Sequence, residues 1–303
     1  MVNIGIIGTS EGNGHPYSFS AIVNGYDAAL LKKSAWKPIY DYLAKRNESE
    51  IGIPEMHISH VWTQSNAESQ LIAKIANIEN VCEDVSDMIS EVDGVIIARD
   101  DWSCHIELAM QFLESGKPVF IDKPLTLKMD ELKIFEHYLK EGKLMSTSGL
   151  RYAKELDDYR QTCISDTPKF ISAMVINDWE KYGIHMLDAI YSGIAFDIAT
   201  VYSAGEKSRT TILTRENGEQ IVLSCLGPGH KIFSLKVFFE SNLISVNLED
   251  NFTAFKRTLS HFRDFVKTGK PIIKSDETVN IIKTLIAGNI SLREKREVRL
   301  DEL

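Results

Sequence analysis

The chain has little that would suggest metal, disulfide or membrane chemistry. Its four cysteines, Cys82, Cys104, Cys163 and Cys225, lie far apart and form no Cys-x-x-Cys pair, so spacing points to neither a zinc site nor a disulfide framework. A reducing, cytoplasmic setting is expected, with no bound metal. No stretch approaches the ~18 consecutive apolar residues that read as a membrane span. The opening run Val2-Asn3-Ile4-Gly5-Ile6-Ile7-Gly8 lacks the basic flank of a secretory leader and is broken by glycine. Positive charge is also in short supply: 34 Lys and Arg against 43 Asp and Glu give a net charge of −9, which disfavours nucleic acid and anionic lipid as partners. Internal repeats and low-complexity linkers are absent.

What is present is an ordinary globular composition, 44% apolar and 25% charged over 303 residues, a length at which chains tend to build two cores rather than one. Apolar runs at Val2–Ile7, Met56–Trp62, Gly94–Ala98 and Pro118–Ile121 alternate with helical patterns at Pro16–Asn24, Ala67–Ile78 and His105–Glu114. Strands that are apolar throughout and alternate with helices predict a parallel sheet covered on both faces. After about Asp130, where a helix (Asp130–Glu141) and a short strand (Leu144–Ser148) intervene, the texture changes. Strand patterns at 170–175, 200–203, 210–213, 220–223, 233–237 and 243–246 follow with little helix between them, and Asn217-Gly218 supplies a hairpin turn. An antiparallel sheet is expected there, closed by helices over 252–268 and 278–295. The fold class is therefore α/β: a doubly wound parallel sheet, then an α+β domain with a large open antiparallel sheet. The expected boundary places a dinucleotide-binding domain at 1–125 and a substrate-binding and oligomerisation domain at 126–303.

A small-residue loop between the first strand and the first helix can receive a pyrophosphate on its backbone N–H groups and the helix dipole. Gly8, Thr9, Ser10, Gly12, Asn13, Gly14 and His15 form that loop, with Pro16 suited to the helix's first turn. The spacing is irregular, because Ser10 stands where a second glycine is usual, and a plain connecting turn is the competing reading. After the second strand come Thr63, Gln64 and Ser65. No carboxylate is available there for an adenosine ribose diol, which tips the cofactor expectation from NAD slightly toward NADP.

Gly116-Lys117-Pro118-Val119-Phe120-Ile121-Asp122-Lys123-Pro124-Leu125 resembles the Glu-Lys-Pro segment of the glucose–fructose oxidoreductase, inositol dehydrogenase and rhizopine-catabolism family, with Asp122 in place of glutamate. Asp93–Ala98 resembles the strand before it, and His105-Ile106-Glu107-Leu108-Ala109 the family's His-x-x-x-Ala helix start. Gly183-Ile184-His185-Met186-Leu187-Asp188 resembles its Gly-x-His-x-x-Asp segment, and Phe262–Pro271 its closing stretch. The resemblance covers essentially the whole chain in order. It implies NAD(P)-dependent hydride transfer on a secondary alcohol or ketone of a sugar, cyclitol or sugar nucleotide, with a homodimer or homotetramer built through the second sheet.

Such chemistry needs a cation near the reacting oxygen and a base for its proton. The resemblance assigns Lys123 to the nicotinamide ribose and the hydroxyl, Pro124 to the turn that aims it, and His185 to the proton. Asp188, three residues on, either orients the imidazole or completes a packing contact. Ala98, Arg99, Trp102 and His105 fall around the nicotinamide side. There the charged run Arg99-Asp100-Asp101 either forms a lid contact or pairs with itself at the surface, the second being favoured. Arg151, Tyr152, Asp178, Trp179 and Lys181 are expected on the substrate side, with surface packing an equal alternative for the first two. Lys181 stands where the family often has an aspartate, a departure that reroutes or abolishes the proton path. Residues 26–50 add a polar, lysine-bearing segment, read as a solvated helix or as a flap over the adenosine end. Two alternatives to a dehydrogenase remain: a redox-neutral enzyme that keeps its cofactor, and a binding protein without turnover.

Overall fold

The computed structural model describes residues 1–229 and 231–303, which divide into two compact units, each discontinuous in sequence. The first comprises 1–125, 134–146 and 255–273; the second comprises 126–133, 147–254 and 274–303.

In the first unit β1 (Val2–Ile7) leads to α1 (His15–Asn24), then α2 (Ala28–Lys33), α3 (Lys37–Leu43), β2 (Met56–Trp62), α4 (Asn66–Ala76), β3 (Asn80–Val81), β4 (Gly94–Ile97), α5 (His105–Glu114) and β5 (Val119–Ile121). The later part of helix α6 (Met129–Lys140), from residue 134, and β6 (Leu144–Ser146) follow. The six strands form one parallel sheet in the order β3-β2-β1-β4-β5-β6. β4 and β5 are buried at every residue, as apolar strands covered on both faces must be. Order reverses between β1 and β4, so the loops after these two strands diverge and leave the crevice where such sheets take ligands. Aromatic packing supports the core: Phe19 lies 5.3 Å from Phe255 and Phe120 lies 5.7 Å from Phe262, centroid to centroid.

The 26–50 segment is not a single solvated helix. It holds α2, capped by Asp27 accepting from Leu30 N–H, and α3, and it buries Leu31, Ile39 and Leu43. Trp36 packs so closely on Gly14 that a Cβ at that glycine would lie 2.5 Å from the indole. Apolar residues at 31, 39 and 43 outweigh the exposed lysines in deciding where the segment lies.

The second unit contains α7 (Asp157–Thr162), β7 (Phe170–Val175), α8 (Ile184–Ile190), β8 (Ile198–Ala204), β9 (Arg209–Arg215), β10 (Gln220–Cys225), β11 (Phe233–Phe238), β12 (Leu243–Asn247), the start of α9 (Asn251–Thr268), α10 (Ser275–Glu294) and β13 (Val298–Arg299). Its seven strands run β12-β11-β7-β10-β9-β8-β13. Gly218, at φ +88°, makes the β9–β10 turn. One pairing departs from the antiparallel expectation: β10 lies parallel to β7. The β9–β10 hairpin inserts beside β7, a non-local choice that no turn residue encodes. Helices α8 and α10 cover the face carrying Ile171, Ala173, Val201, Leu213, Leu223 and Leu235. The other face carries Phe170, Met174, Tyr202, Phe238 and Leu243, all exposed. No helix among the described residues is long and apolar enough to cross a membrane.

Candidate active site

In the first unit the loop after β1 turns at Gly8, whose φ of +80° suits only glycine, and again at Gly12, at φ +77°. A Cβ on Gly8 would collide with the Arg99 side chain, whereas one on Gly12 would meet nothing within 4 Å. Gln64 ties this loop to the end of β2, accepting from Thr9 N–H at 3.0 Å and donating to Thr9 carbonyl at 2.7 Å. Thr63 is buried and bonded to Ser69 and Ser65, and Ser65 caps α4. All three residues expected near the adenosine ribose thus hold backbone in place.

The Asp-Lys-Pro turn leaves β5 through a cis Lys123-Pro124 bond. Asp122, 2% exposed, accepts from Asn13 Nδ2 at 3.0 Å and lies 2.6 Å from His15 Nδ1, so it fastens the motif to the glycine loop. Burial alone would raise its carboxyl, but His15 and Lys123, with the hydrogen bonds from His15 and Asn13, bring it far below the ordinary carboxylate range. Lys123 is 4% exposed and its Nζ lies 3.6 Å from Asp100. Asp100 in turn accepts from Ser10 Oγ at 2.8 Å. Arg99 does pair with Asp101, Nε to Oδ1 at 2.8 Å, yet this is no solvated surface pair. The Arg99 side chain is 13% exposed and crosses Gly8, and Asp100 is buried against the loop. A charged run after β4 therefore becomes part of the loop's wall.

His105 is fully buried beneath, Nδ1 facing Leu125 carbonyl at 3.0 Å and Nε2 facing Arg99 carbonyl at 3.1 Å, and burial holds it below the ordinary imidazole value. It braces the loop after β4 against the loop after β5, beside buried Ala98 and half-buried Trp102. The wall so formed fits a dinucleotide. Gly12 leaves open space, the loop precedes a helix N-terminus at the strand-order reversal, and Arg99 and Lys123 are the nearby cations.

In the second unit a π-helical turn, Trp179–Gly183, leads into α8. His185 Nδ1 lies 2.6 Å from Ser148 Oγ, which also accepts from Leu150 N–H at 3.1 Å. Tyr182 and Phe233 meet the imidazole edge-on at 5.7 and 5.5 Å. Asp188 does not bond the imidazole: it accepts from Ser148 N–H at 2.7 Å, Thr147 Oγ1 at 3.1 Å and Arg151 Nη1 at 3.0 Å. Asp188 thus holds Thr147, Ser148 and Arg151 in place, and Ser148 bonds His185. Burial raises the Asp188 carboxyl above its ordinary value despite Arg151.

Arg151 is a buried ion-pair residue, bonded to Asp188, Tyr191 carbonyl and Glu277. It is buried rather than packed on the surface, and Tyr152 beside it is half-buried. Asp178 caps the π turn by accepting from Lys181 N–H, which leaves the Lys181 side chain half-exposed on that turn, and the Trp179 indole donates to Leu285 carbonyl at 3.0 Å. Asp100 and Ser148, each touching a predicted catalytic residue, were not among the site residues expected from sequence. Only contact across 23 and 37 positions reveals them. No group of His, Cys, Asp and Glu able to hold a metal occurs among the described residues.

Residues 2–149 match the family model described as an oxidoreductase family with an NAD-binding Rossmann fold. A 75-residue stretch is 32% identical to scyllo-inositol 2-dehydrogenase (NAD(+)) of Bacillus subtilis, covering 24% of this chain and 22% of that enzyme. Among solved structures, scyllo-inositol dehydrogenase of Lactobacillus casei with bound NAD(H) and scyllo-inositol superposes with a TM-score of 0.75 at 16% identity, over 99% of both chains. Myo-inositol 2-dehydrogenase of Lactobacillus plantarum does so at 0.77 and 14%, over 98% of this chain and 99% of that one. At these identities the two structures speak for the fold. The NAD-binding half, residues 2–149, thus belongs to the glucose–fructose oxidoreductase, inositol dehydrogenase and rhizopine-catabolism family of oxidoreductases, and the whole chain shares the fold of the two inositol dehydrogenases.

Proposed function

We propose that the chain is an NAD(P)-dependent dehydrogenase acting on a secondary alcohol of a cyclitol or sugar. The observation that carries this reading is Lys123: a lysine 4% exposed at the end of β5, held beside Asp100 and tied through Ser10 to the glycine loop. A lysine buried in that position has a task other than solubility.

The bound dinucleotide supplies the acceptor or donor of a hydride. Lys123 donates to the substrate oxygen and holds it while the C–H bond is broken, and Asp100 and Asp122 balance its charge. Oxidation also requires the hydroxyl proton to leave. In the second unit His185 is the candidate base, held by Ser148 Oγ when Nδ1–H is the donor. Ser148 can take this hydrogen while keeping Leu150 N–H, because a hydroxyl oxygen has two lone pairs.

With no carboxylate at Thr63-Gln64-Ser65 to repel a 2′-phosphate, the adenosine end accepts NADP as well as NAD in this proposal. The exposed face of the second sheet, where the Phe170 and Phe238 rings lie 5.8 Å apart and tilted, supports a homo-oligomer formed through it.

The test uses cofactor-stripped protein with NAD or NADP and a panel of inositols and sugar alcohols, followed at the reduced-nicotinamide band. Turnover should fall by roughly 10²–10⁴-fold in Lys123→Met, with dinucleotide binding retained. A Lys123→Met protein as active as wild type would overturn the assignment. Product without net cofactor reduction would favour the redox-neutral reading, and ligand binding without product the binding-protein reading.

A further inference from the structure

Within the second unit a cavity of about 480 Å³ lies where β7 and β10 end and the β8–β9 hairpin turns. Its walls include Asp178 and Glu180 from the π turn, Lys207 and Arg209 from the hairpin, and Gly227 beyond β10. Lys123, Ser148 and His185 take no part in it.

Arg209 is the unusual member. Its guanidinium stacks over the Trp179 ring at 4.9 Å and donates to Asn289 Oδ1 at 2.9 Å and Ser203 Oγ at 3.2 Å, all uncharged partners. Among the described residues no carboxylate pairs with it, and its Nε is buried without a hydrogen-bond partner. Burial pushes it down to about 10, with Cys225, Glu180 and Asp178 opposing from further away. The two nearest carboxylates are engaged elsewhere: Asp178 accepts from Lys181 N–H and Glu180 from Asn289 Nδ2. A half-buried guanidinium held only by uncharged partners keeps an unmet charge, so this wall of the cavity favours an anion.

We propose that the cavity binds a small hydroxylated monocarboxylate of sugar-acid size. Its carboxylate meets Arg209 and Lys207, and its hydroxyls donate to Asp178 and Glu180, which can only accept when ionised. The volume suits such a molecule. Three acids, Asp178, Glu180 and Glu206, against two bases on the same walls oppose a doubly charged phosphate. This site is independent of the dehydrogenase reading.

The experiment measures binding alone. The intact chain, free of dinucleotide, is titrated calorimetrically at constant ionic strength with D-gluconate, D-glucuronate, D-glucose and D-glucose 6-phosphate. Saturable binding of the two sugar acids is expected, abolished in Arg209→Met and weakened at least tenfold in Lys207→Glu. Because Lys207 is exposed on a hairpin, its variant keeps the test sound should Arg209→Met fold poorly. Lys123→Met should bind the sugar acids as wild type does, which separates this site from the catalytic assignment. Equal binding of glucose, tighter binding of the phosphate, no binding of either acid, or unchanged affinity in Lys207→Glu would each overturn the proposal.

Discussion

Asp122 in the first unit and Asp188 in the second are both shut away from solvent, 2% and 3% exposed, yet they move in opposite directions. Burial pushes both carboxyls up. At Asp122 the pull of His15 and Lys123, with the hydrogen bonds from His15 and Asn13, more than reverses that push. At Asp188 the donors are Thr147, the Ser148 backbone and Arg151, and this single cation is shared with Glu277. The number of opposite charges within reach, rather than the depth of burial, sets the outcome. The signs follow for stability. Asp122, depressed when folded, contributes stability that is present above the ordinary carboxylate pKa of ~4 and lost as pH falls through its folded value. Asp188, raised when folded, costs stability in its ionised form, and that cost is relieved as pH falls through its raised value.

The largest effect should come from Asp122→Ala, which leaves buried Lys123, His15 and Asn13 without their shared partner at the glycine loop. Urea unfolding at pH 7 should register a loss of roughly 3–5 kcal/mol. Arg151→Met comes next, at about 2–3 kcal/mol, because Asp188 and Glu277 are left together and one can take up a proton. Its deficit should shrink between pH 7 and pH 5, and a deficit that grows would reverse the sign given to Asp188. Ser148→Ala should lower kcat roughly tenfold, within the range for positioned proton transfer, and leave dinucleotide affinity unchanged; Ser148→Thr, which keeps the hydroxyl, should recover most of the rate. Last is Asp188→Asn, which turns an amide NH2 toward one of the donors Thr147, Ser148 and Arg151 and should cost about 1–3 kcal/mol at pH 7. If it proved as costly as Asp122→Asn, the comparison between the two carboxylates would fail.

Features governed by neighbouring residues were legible in the sequence. Gly8 and Gly218 sit where the chain must turn with positive φ, and the uniformly apolar β4 and β5 could only be interior strands of a parallel sheet. The Asp-Lys-Pro segment was legible because three residue types coincide at the end of such a strand. What escaped depends on partners distant in the chain. Nothing local distinguishes the parallel β7–β10 pairing from an antiparallel one. Trp36 against Gly14, Asp100 beside Lys123, and Ser148 against His185 arise only when separate segments meet. Arg151 illustrates the same point: an arginine looks equally suited to surface or cleft until Asp188 and Glu277 are seen on either side of it.

The discontinuity of the first unit bears on how the protein is made. Phe255 and Phe262 pack against Phe19 and Phe120, so a nucleotide-binding core begun at residue 1 still lacks part of its interior when residue 250 is being joined. Domains commonly fold as they emerge during synthesis. Here the nascent first unit would expose aromatic surface for most of translation and close only once the segment 255–273 has cleared the ribosome. Termination shortly before that segment would yield a product that retains the glycine loop and the Asp-Lys-Pro segment but is prone to aggregate.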